Sequence, residues 1–268
     1  MKKKRVILTA GFNKARHVLA MAELFRRDGV EIAGLLVISP YNVKRLRGLV
    51  RQRGGAFILE ALPRLLGREK KPGSAHNKDA LKTLMQEKDI PMESLSTWAK
   101  RWSVPYRTVK SINDPASVDF VASAKPDWVV YGGGGIINNA FIDAARQRIL
   151  NAHSGPLPEI RGMNACEWSL LLGYTPTVTI HLINRGIDTG AILSVHEIPV
   201  GAGDTVEVLR SRCVATGVSA MHRAVLETSE TLPPPRENAA AHRQCFVMAP
   251  AMLELLEKQL AQRGALAA

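Results

Sequence analysis

The sequence predicts an α/β protein: a doubly wound, mostly parallel sheet flanked by helices, with a helical basic insertion and a C-terminal helical extension. Three observations predict it. Short apolar runs alternate with amphipathic helical stretches, beginning strand–helix–strand at Arg5, which is the pattern of a doubly wound sheet. The run Trp128–Tyr131 has the composition of a strand buried on both faces. Three strand-like runs end in polar or flexible residues: Gly132–Gly135, Asn151-Ala-His153-Ser-Gly-Pro, and Arg185-Gly-Ile-Asp188-Thr-Gly. In an open α/β sheet that edge is where ligands sit.

The elements follow in order. Arg5–Ala10 is a short apolar run and predicts a first strand, with Gly11-Phe-Asn13 as its turn. Ala15, Val18, Leu19, Met21, Ala22 and Phe25 recur at helical spacing, and Asp28-Gly29 ends that helix. Val30–Ser39 predicts a second strand, closed by Pro40. Residues 41–72 predict two basic amphipathic helices, and 73–102 give only an irregular to helical pattern. Val104–Val109 predicts a short strand. Asn113-Asp-Pro opens a helix carrying Val118, Phe120, Val121 and Ala124, because Asn or Asp caps well and proline suits a first turn. A helix is expected from about Asn139 to Gln147 and another from Asn164 to Leu172, capped by Gly173. Thr177–Asn184 is β-branched and alternating, and it is placed to pair with Ala191–Val200. Helical spacing returns over Asp204–Glu227, Thr231–Pro235 reads as a linker, and a last helix spans about Ala251–Arg263. The expected division is a catalytic domain over 1–200, with the basic insertion at about 41–103, and a helical extension over 201–268.

The bulk composition narrows the class. The chain has 268 residues, 46% hydrophobic and 22% charged, as an ordinary globular protein does. No apolar run reaches the roughly 18–20 residues of a membrane-spanning helix, and the start lacks the long apolar core of a secretory signal. The expected location is the cytoplasm. Cys166, Cys213 and Cys245 lie far apart, and the seven histidines form no HExxH or HxH pair, so no metal site is expected. Residues 1–71 hold 17 Lys and Arg against 5 Asp and Glu, an excess equal to the whole net charge of +12. Such asymmetry suits an acidic partner, namely a nucleotide-linked or phosphorylated substrate, RNA or an anionic membrane surface, and the basic helices of 41–72 have the look of an interfacial segment.

The glycine run does not fit a dinucleotide fingerprint, because Ile137 holds the third glycine position and no acid ends the next strand. Asn151 occupies that place. Four glycines instead let a flat ligand lie close to the backbone. Asn151 and His153, two apart after a strand, project to one side. An amide that donates to a developing oxyanion, beside an imidazole that moves a proton, suits attack on a carbonyl. Asp188, between Gly186 and Gly190, is placed to orient His153 or to take a proton through water.

The pattern Asn151-x-His153-x-x-x-Leu157-Pro158-x-x-Arg161-Gly162, followed by Thr177-Val-Thr-Ile-His181 and Gly186-Ile-Asp188-Thr-Gly190, resembles the folate-dependent formyltransferases. That family includes glycinamide ribonucleotide, methionyl-tRNA and sugar N-formyltransferases. The resemblance runs from about Val104 to Val200 and more loosely over Arg5–Ser39. It implies a fold that binds 10-formyltetrahydrofolate and transfers its formyl group to a primary amine. It implies Asn151, His153 and Asp188 as the catalytic trio, and a pterin surface formed by Gly133, Gly134, Gly135, Ile136, Ile137 and Ile187. The expected acceptor is a small amine such as an amino sugar, anionic because of the basic excess in residues 1–71, and no nucleic acid is expected because only 201–268 follow the catalytic region. The alternatives are hydrolysis of the formyl group, a methionyl-tRNA formyltransferase-like activity, and a non-catalytic relative that meets a membrane or partner through 41–72. Ser154-Gly155 departs from the family's Pro-Ser after the histidine, and segment 41–103 has no clear counterpart in it.

Overall fold

The computed structural model describes residues 3–39, 79–227 and 243–266, with side chains described through residue 262. The expected basic helices of 41–72 and the linker at 231–235 lie outside the described residues. The first strand is β1 (Arg5–Ala10), followed by helix α1 (Arg16–Arg27) and β2 (Glu31–Ile38). After the undescribed stretch come α2 (Ala80–Glu87), α3 (Leu95–Arg101), β3 (Tyr106–Val109), α4 (Pro115–Ala124) and β4 (Trp128–Gly132). Then follow α5 (Asn139–Ala144), β5 (Ile149–His153), β6 (Ile160–Gly162), α6 (Ala165–Leu171), β7 (Thr177–Leu182) and β8 (Ile192–Glu197). Helix α7 (Val206–Glu227), strand β9 (Arg243–Cys245) and helix α8 (Pro250–Leu266) complete the described elements.

Seven strands form one sheet in the order β3-β2-β1-β4-β5-β7-β8. The pairs from β3 through β5 are parallel, and β5–β7 and β7–β8 are antiparallel. The predicted mostly parallel, doubly wound sheet is the observed one, including the hairpin-like pairing of 177–182 with 192–197. Strand order reverses between β1 and β4, so the C-terminal ends of β1, β4 and β5 meet at the switch point.

Both faces of the sheet are covered. On one, Val6, Leu8, Val37, Val130, Leu150, Ile180 and Leu182 pack with α1, α2, α3 and α7. On the other, Ile7, Leu36, Val129 and Ile149 pack with Val121 of α4 and Phe141 of α5. The helix expected within the 201–268 extension therefore contributes Leu209, Cys213, Val218 and Met221 to the main core, on the sheet itself.

Residues 73–102, irregular in the sequence pattern, contain two capped helices. Asp79 accepts from Lys82 N and Ser94 accepts from Thr97 N, satisfying amides that a helix start leaves free. Leu81, Met85, Leu95 and Trp98 are buried. One polar clamp fastens α3 to α1. Glu23 is 4% exposed, and its carboxylate accepts from Trp98 Nε1 at 2.9 Å, from Arg26 at 2.7 and 3.0 Å and from Arg27 at 2.8 Å. Burial alone would raise its pKa, but these bonds outweigh burial and hold it down at about 2.

A small second sheet, absent from the sequence expectations, pairs β6 with β9 in parallel. Its crowding explains Gly162. A Cβ there would stand 2.2 Å from the Cys245 carbonyl oxygen, and its φ is +95°.

Candidate active site

The site assembles at the C-terminal edge of β4 and β5. Asn151 and His153 lie within β5, two apart, and their cross-strand partners on β7 are His181 and Thr179. Antiparallel register thus sets His181 directly opposite Asn151. Asp188 arrives from the loop after β7 in the left-handed backbone region, φ 51°. The structure brings Asn151, His153 and Asp188 together, and it adds His181, which the sequence offered within a strand and a motif but without a role.

The hydrogen bonds fix most of the tautomers. His181 Nδ1–H donates to the Leu182 carbonyl at 2.8 Å, which leaves Nε2 to accept from Asn151 Nδ2 at 3.0 Å. Burial pushes the His181 pKa down to about 4; the Asp188 charge opposes that fall and nearby His153 adds to it. His181 is therefore neutral near pH 7, and its 3.6 Å separation from Asp188 Oδ1 is not an ion pair. His153, 6% exposed, donates Nε2–H to the Ile160 carbonyl at 2.9 Å. The nitrogen left to exchange a proton is Nδ1, which faces Asp188 Oδ2 at 3.5 Å, longer than a direct N–H···O bond. Asp188 Oδ2 is itself held by Gly162 N–H at 2.8 Å. Strand β9 supports that amide, because Gly162 pairs with Cys245 and Met163 N–H donates to Cys245 O at 2.9 Å.

Gly155, the second residue of that departure from the family pattern, sits in a crowded place. A Cβ at position 155 would lie 2.7 Å from Ala165 Cβ and 3.1 Å from His153 Nε2. Glycine keeps the imidazole in place.

The glycine run leaves β4 at Gly132. A Cβ there would stand 2.3 Å from Val18 Cγ2 and 2.5 Å from the Thr9 carbonyl oxygen, so no larger residue fits. Gly133, Gly134 and Gly135 have φ of +111°, +141° and +95°, conformations that L-residues avoid. Most carbonyls of this run are already hydrogen-bonded within the protein. Gly132 O accepts from His17 Nε2, Gly133 O from Thr9 Oγ1, Gly135 O from Tyr131 Oη, and Ile136 O from Asn113 Nδ2. The run is a braced ledge, and the surface it offers is apolar. Ile136 is 77% exposed and Ile187, across the site beside Asp188, is 38% exposed, while Ile137 is half-buried against the α4–α5 core. Nothing stands within 4 Å of a Cβ built on Gly135. His17, on α1 and half-buried, was not singled out from sequence; burial lowers its pKa. Among the described residues no group of His, Cys, Asp or Glu has metal-site geometry, and no helix is long and apolar enough to cross a membrane.

Fold and site together define an α/β protein with a polar Asn–His–Asp cluster at its switch-point edge. Comparison with known proteins then places it: the family model for formyl transferases matches residues 69–225, and the chain belongs to that family. The match begins at 69, so part of the segment expected to lack a family counterpart lies within it. Among similar curated proteins, methionyl-tRNA formyltransferase of Finegoldia magna is 32% identical over 120 residues, covering 44% of this chain and 39% of that protein. That of Anaeromyxobacter dehalogenans is 29% identical over 172 residues, covering 60% and 55%. The chain spans about half the length of the curated relatives it matches. Among solved structures, phosphoribosylglycinamide formyltransferase from Anaplasma phagocytophilum superposes with a TM-score of 0.56 at 21% identity, covering 84% of this chain and 86% of that one. Glycinamide ribonucleotide transformylase 1 from Symbiobacterium toebii gives 0.53 at 20% identity, covering 83% and 86%. These likenesses establish the shared fold.

Proposed function

We propose that this chain transfers a formyl group from 10-formyltetrahydrofolate to the primary amine of a small acceptor. The observation that carries the reading is the convergence of Asn151, His153 and Asp188 at one strand edge, with Asn151 oriented by His181. When bound, 10-formyltetrahydrofolate supplies the formyl carbon and leaves as tetrahydrofolate, its nitrogen taking up the proton that the amine gives up. Ile136, Ile137 and Ile187 with Gly133, Gly134 and Gly135 are the residues that would hold its pterin.

Asn151 has one amide hydrogen committed to His181, and its second is the donor for oxygen that becomes negative as the amine attacks the carbonyl. Proton exchange at His153 Nδ1, beside Asp188, adds to the same stabilisation. Asp188 receives the amine proton through water, and that proton passes on to the folate nitrogen as tetrahydrofolate leaves. No covalent bond to the protein is needed. The acceptor was expected to be anionic on the strength of the basic excess in residues 1–71, much of which lies outside the described residues.

The test is activity against binding. Asp188→Asn and His153→Ala should each reduce formylation of a primary amine by at least about 100-fold while tetrahydrofolate still binds in calorimetry. Near-normal activity in either variant would defeat the assigned roles.

A second reading is favoured by the curated relatives, which are methionyl-tRNA formyltransferases: the amine is carried on tRNA. It replaces the expectation of no nucleic acid if the full chain shifts initiator tRNA in a gel and the shift weakens steeply with salt.

A further inference from the structure

Strand β6 ends in the amide that holds Asp188, yet it has three residues, and so has its partner β9. So short a pair does not set its own position. Its anchorage comes from the start of α6. Asn164 sits two residues past Gly162 in the left-handed region, φ 50°, which asparagine adopts more readily than most residues. From there its side chain reaches the segment that leaves β9: Oδ1 accepts from Met248 N–H at 3.3 Å. Nδ2 donates to Glu167 Oε1 at 2.9 Å. The two bonds fix which way the amide points, because a carboxylate oxygen accepts and a backbone N–H donates. One turn on, Trp168 Nε1–H donates to the Phe246 carbonyl at 2.8 Å.

Glu167 belongs neither to the catalytic trio nor to the glycine ledge. It is 2% exposed, and the Arg210 guanidinium of α7 meets its carboxylate through Nε and Nη2. A buried carboxylate needs such a partner and further hydrogen bonds, and Asn164 supplies one. The bonds therefore run from Arg210 through Glu167 and Asn164 to the end of β9. From Cys245 they continue through the β6–β9 pairing to Gly162, whose N–H reaches Asp188 Oδ2.

We propose that Asn164 is a positioning residue for Asp188, with Glu167 and Arg210 fixing the orientation of its amide. It acts through β9 and the Gly162 N–H. The inference rests on the formyl-transfer reading for what Asp188 does once placed. A carboxylate that takes a proton through water depends on where it stands, and a small displacement costs rate.

The test joins amide hydrogen exchange at Gly162 to steady-state formylation by the full chain, with the best acceptor from a panel of primary amines. Asn164→Gly removes the side chain and keeps the left-handed turn without strain. Exchange at Gly162 should quicken at least about threefold. The kcat should fall roughly 2- to 12-fold, the range for one net hydrogen bond, with KM and tetrahydrofolate affinity held. Asn164→Asp should act in the same direction, since it sets a second carboxylate against Glu167. Adding Glu167→Gln to Asn164→Asp reverses donor and acceptor, and both readouts should recover. A purely structural role would lower the melting temperature while kcat and Gly162 exchange, measured well below it, stay at wild-type values. That result, or no recovery in the paired variant, would overturn the inference. A wild-type chain that forms no formamide on any amine would instead defeat the formyl-transfer reading, and Gly162 exchange would still decide whether Asn164 holds Asp188 in place.

Discussion

Replacing His181 with phenylalanine keeps a ring between β5 and Asp188 but removes the acceptor that orients Asn151. The bond lost is Asn151 Nδ2 to His181 Nε2, 3.0 Å long and shielded by a ring that is 1% exposed. A hydrogen bond of this kind contributes about 0.5–1.5 kcal/mol net. At about 1.4 kcal/mol per tenfold, the amide would spend roughly 2- to 12-fold less time in place, and kcat should fall by that factor with acceptor KM little changed. Asn151→Ala removes the donor itself and should cost roughly 10²–10³ in kcat. Since His181 acts through Asn151, His181→Phe should cost nothing more in the Asn151→Ala background. The assay is steady-state formylation by the four members of this cycle, with each variant's urea midpoint measured separately. Equal losses from His181→Phe in both backgrounds would refute the positioning role, as would full activity in the single variant.

His181 should also mark the acid side of stability. Its pKa falls from the ordinary 6.5 to about 4 on folding, so this contribution is complete above pH 6.5 and is lost as pH drops toward 4, roughly 3 kcal/mol in all. His181→Phe should flatten urea-midpoint profiles between those values, and an unchanged slope would contradict the burial argument. Glu23→Ala should destabilise by about 1–3 kcal/mol, because Trp98 Nε1 is left as a buried donor without its partner while the two guanidiniums remain partly in solvent. Its carboxylate, held at about 2, contributes stability above pH 4.5 that wanes as pH falls toward 2, and a steep acid limb in the alanine variant would count against this. Gly132→Ala should cost about 1–3 kcal/mol in chemical denaturation, since its Cβ would meet Val18 Cγ2 at 2.3 Å.

The sheet was legible because its strands are apolar runs with clear turn chemistry, and β7–β8 because alternation over 177–182 reports a period of two. The catalytic residues were legible as types at strand ends. Their hydrogen bonds were not. His181 lies 30 residues from Asn151, and only the antiparallel register of β5 and β7 sets them opposite each other. Helices α2 and α3 left signals that the pattern reading passed over: the caps Asp79 and Ser94, and the pairs Leu81–Met85 and Leu95–Trp98 on one face. Strands β6 and β9 have three residues each, too few for any periodicity, yet they fix the amide that holds Asp188. The tied carbonyls of the glycine run depend on His17, Thr9, Tyr131 and Asn113, which come from four separate elements and loops.

The most direct measurement follows the fate of the formyl carbon. With 10-formyltetrahydrofolate labelled by carbon-13 at that position and a primary amine acceptor, the label should appear as a formamide on the acceptor nitrogen, and Asp188→Asn should abolish that signal. Label recovered as free formate at the same rate with and without acceptor would contradict formyl transfer and identify hydrolysis in its place.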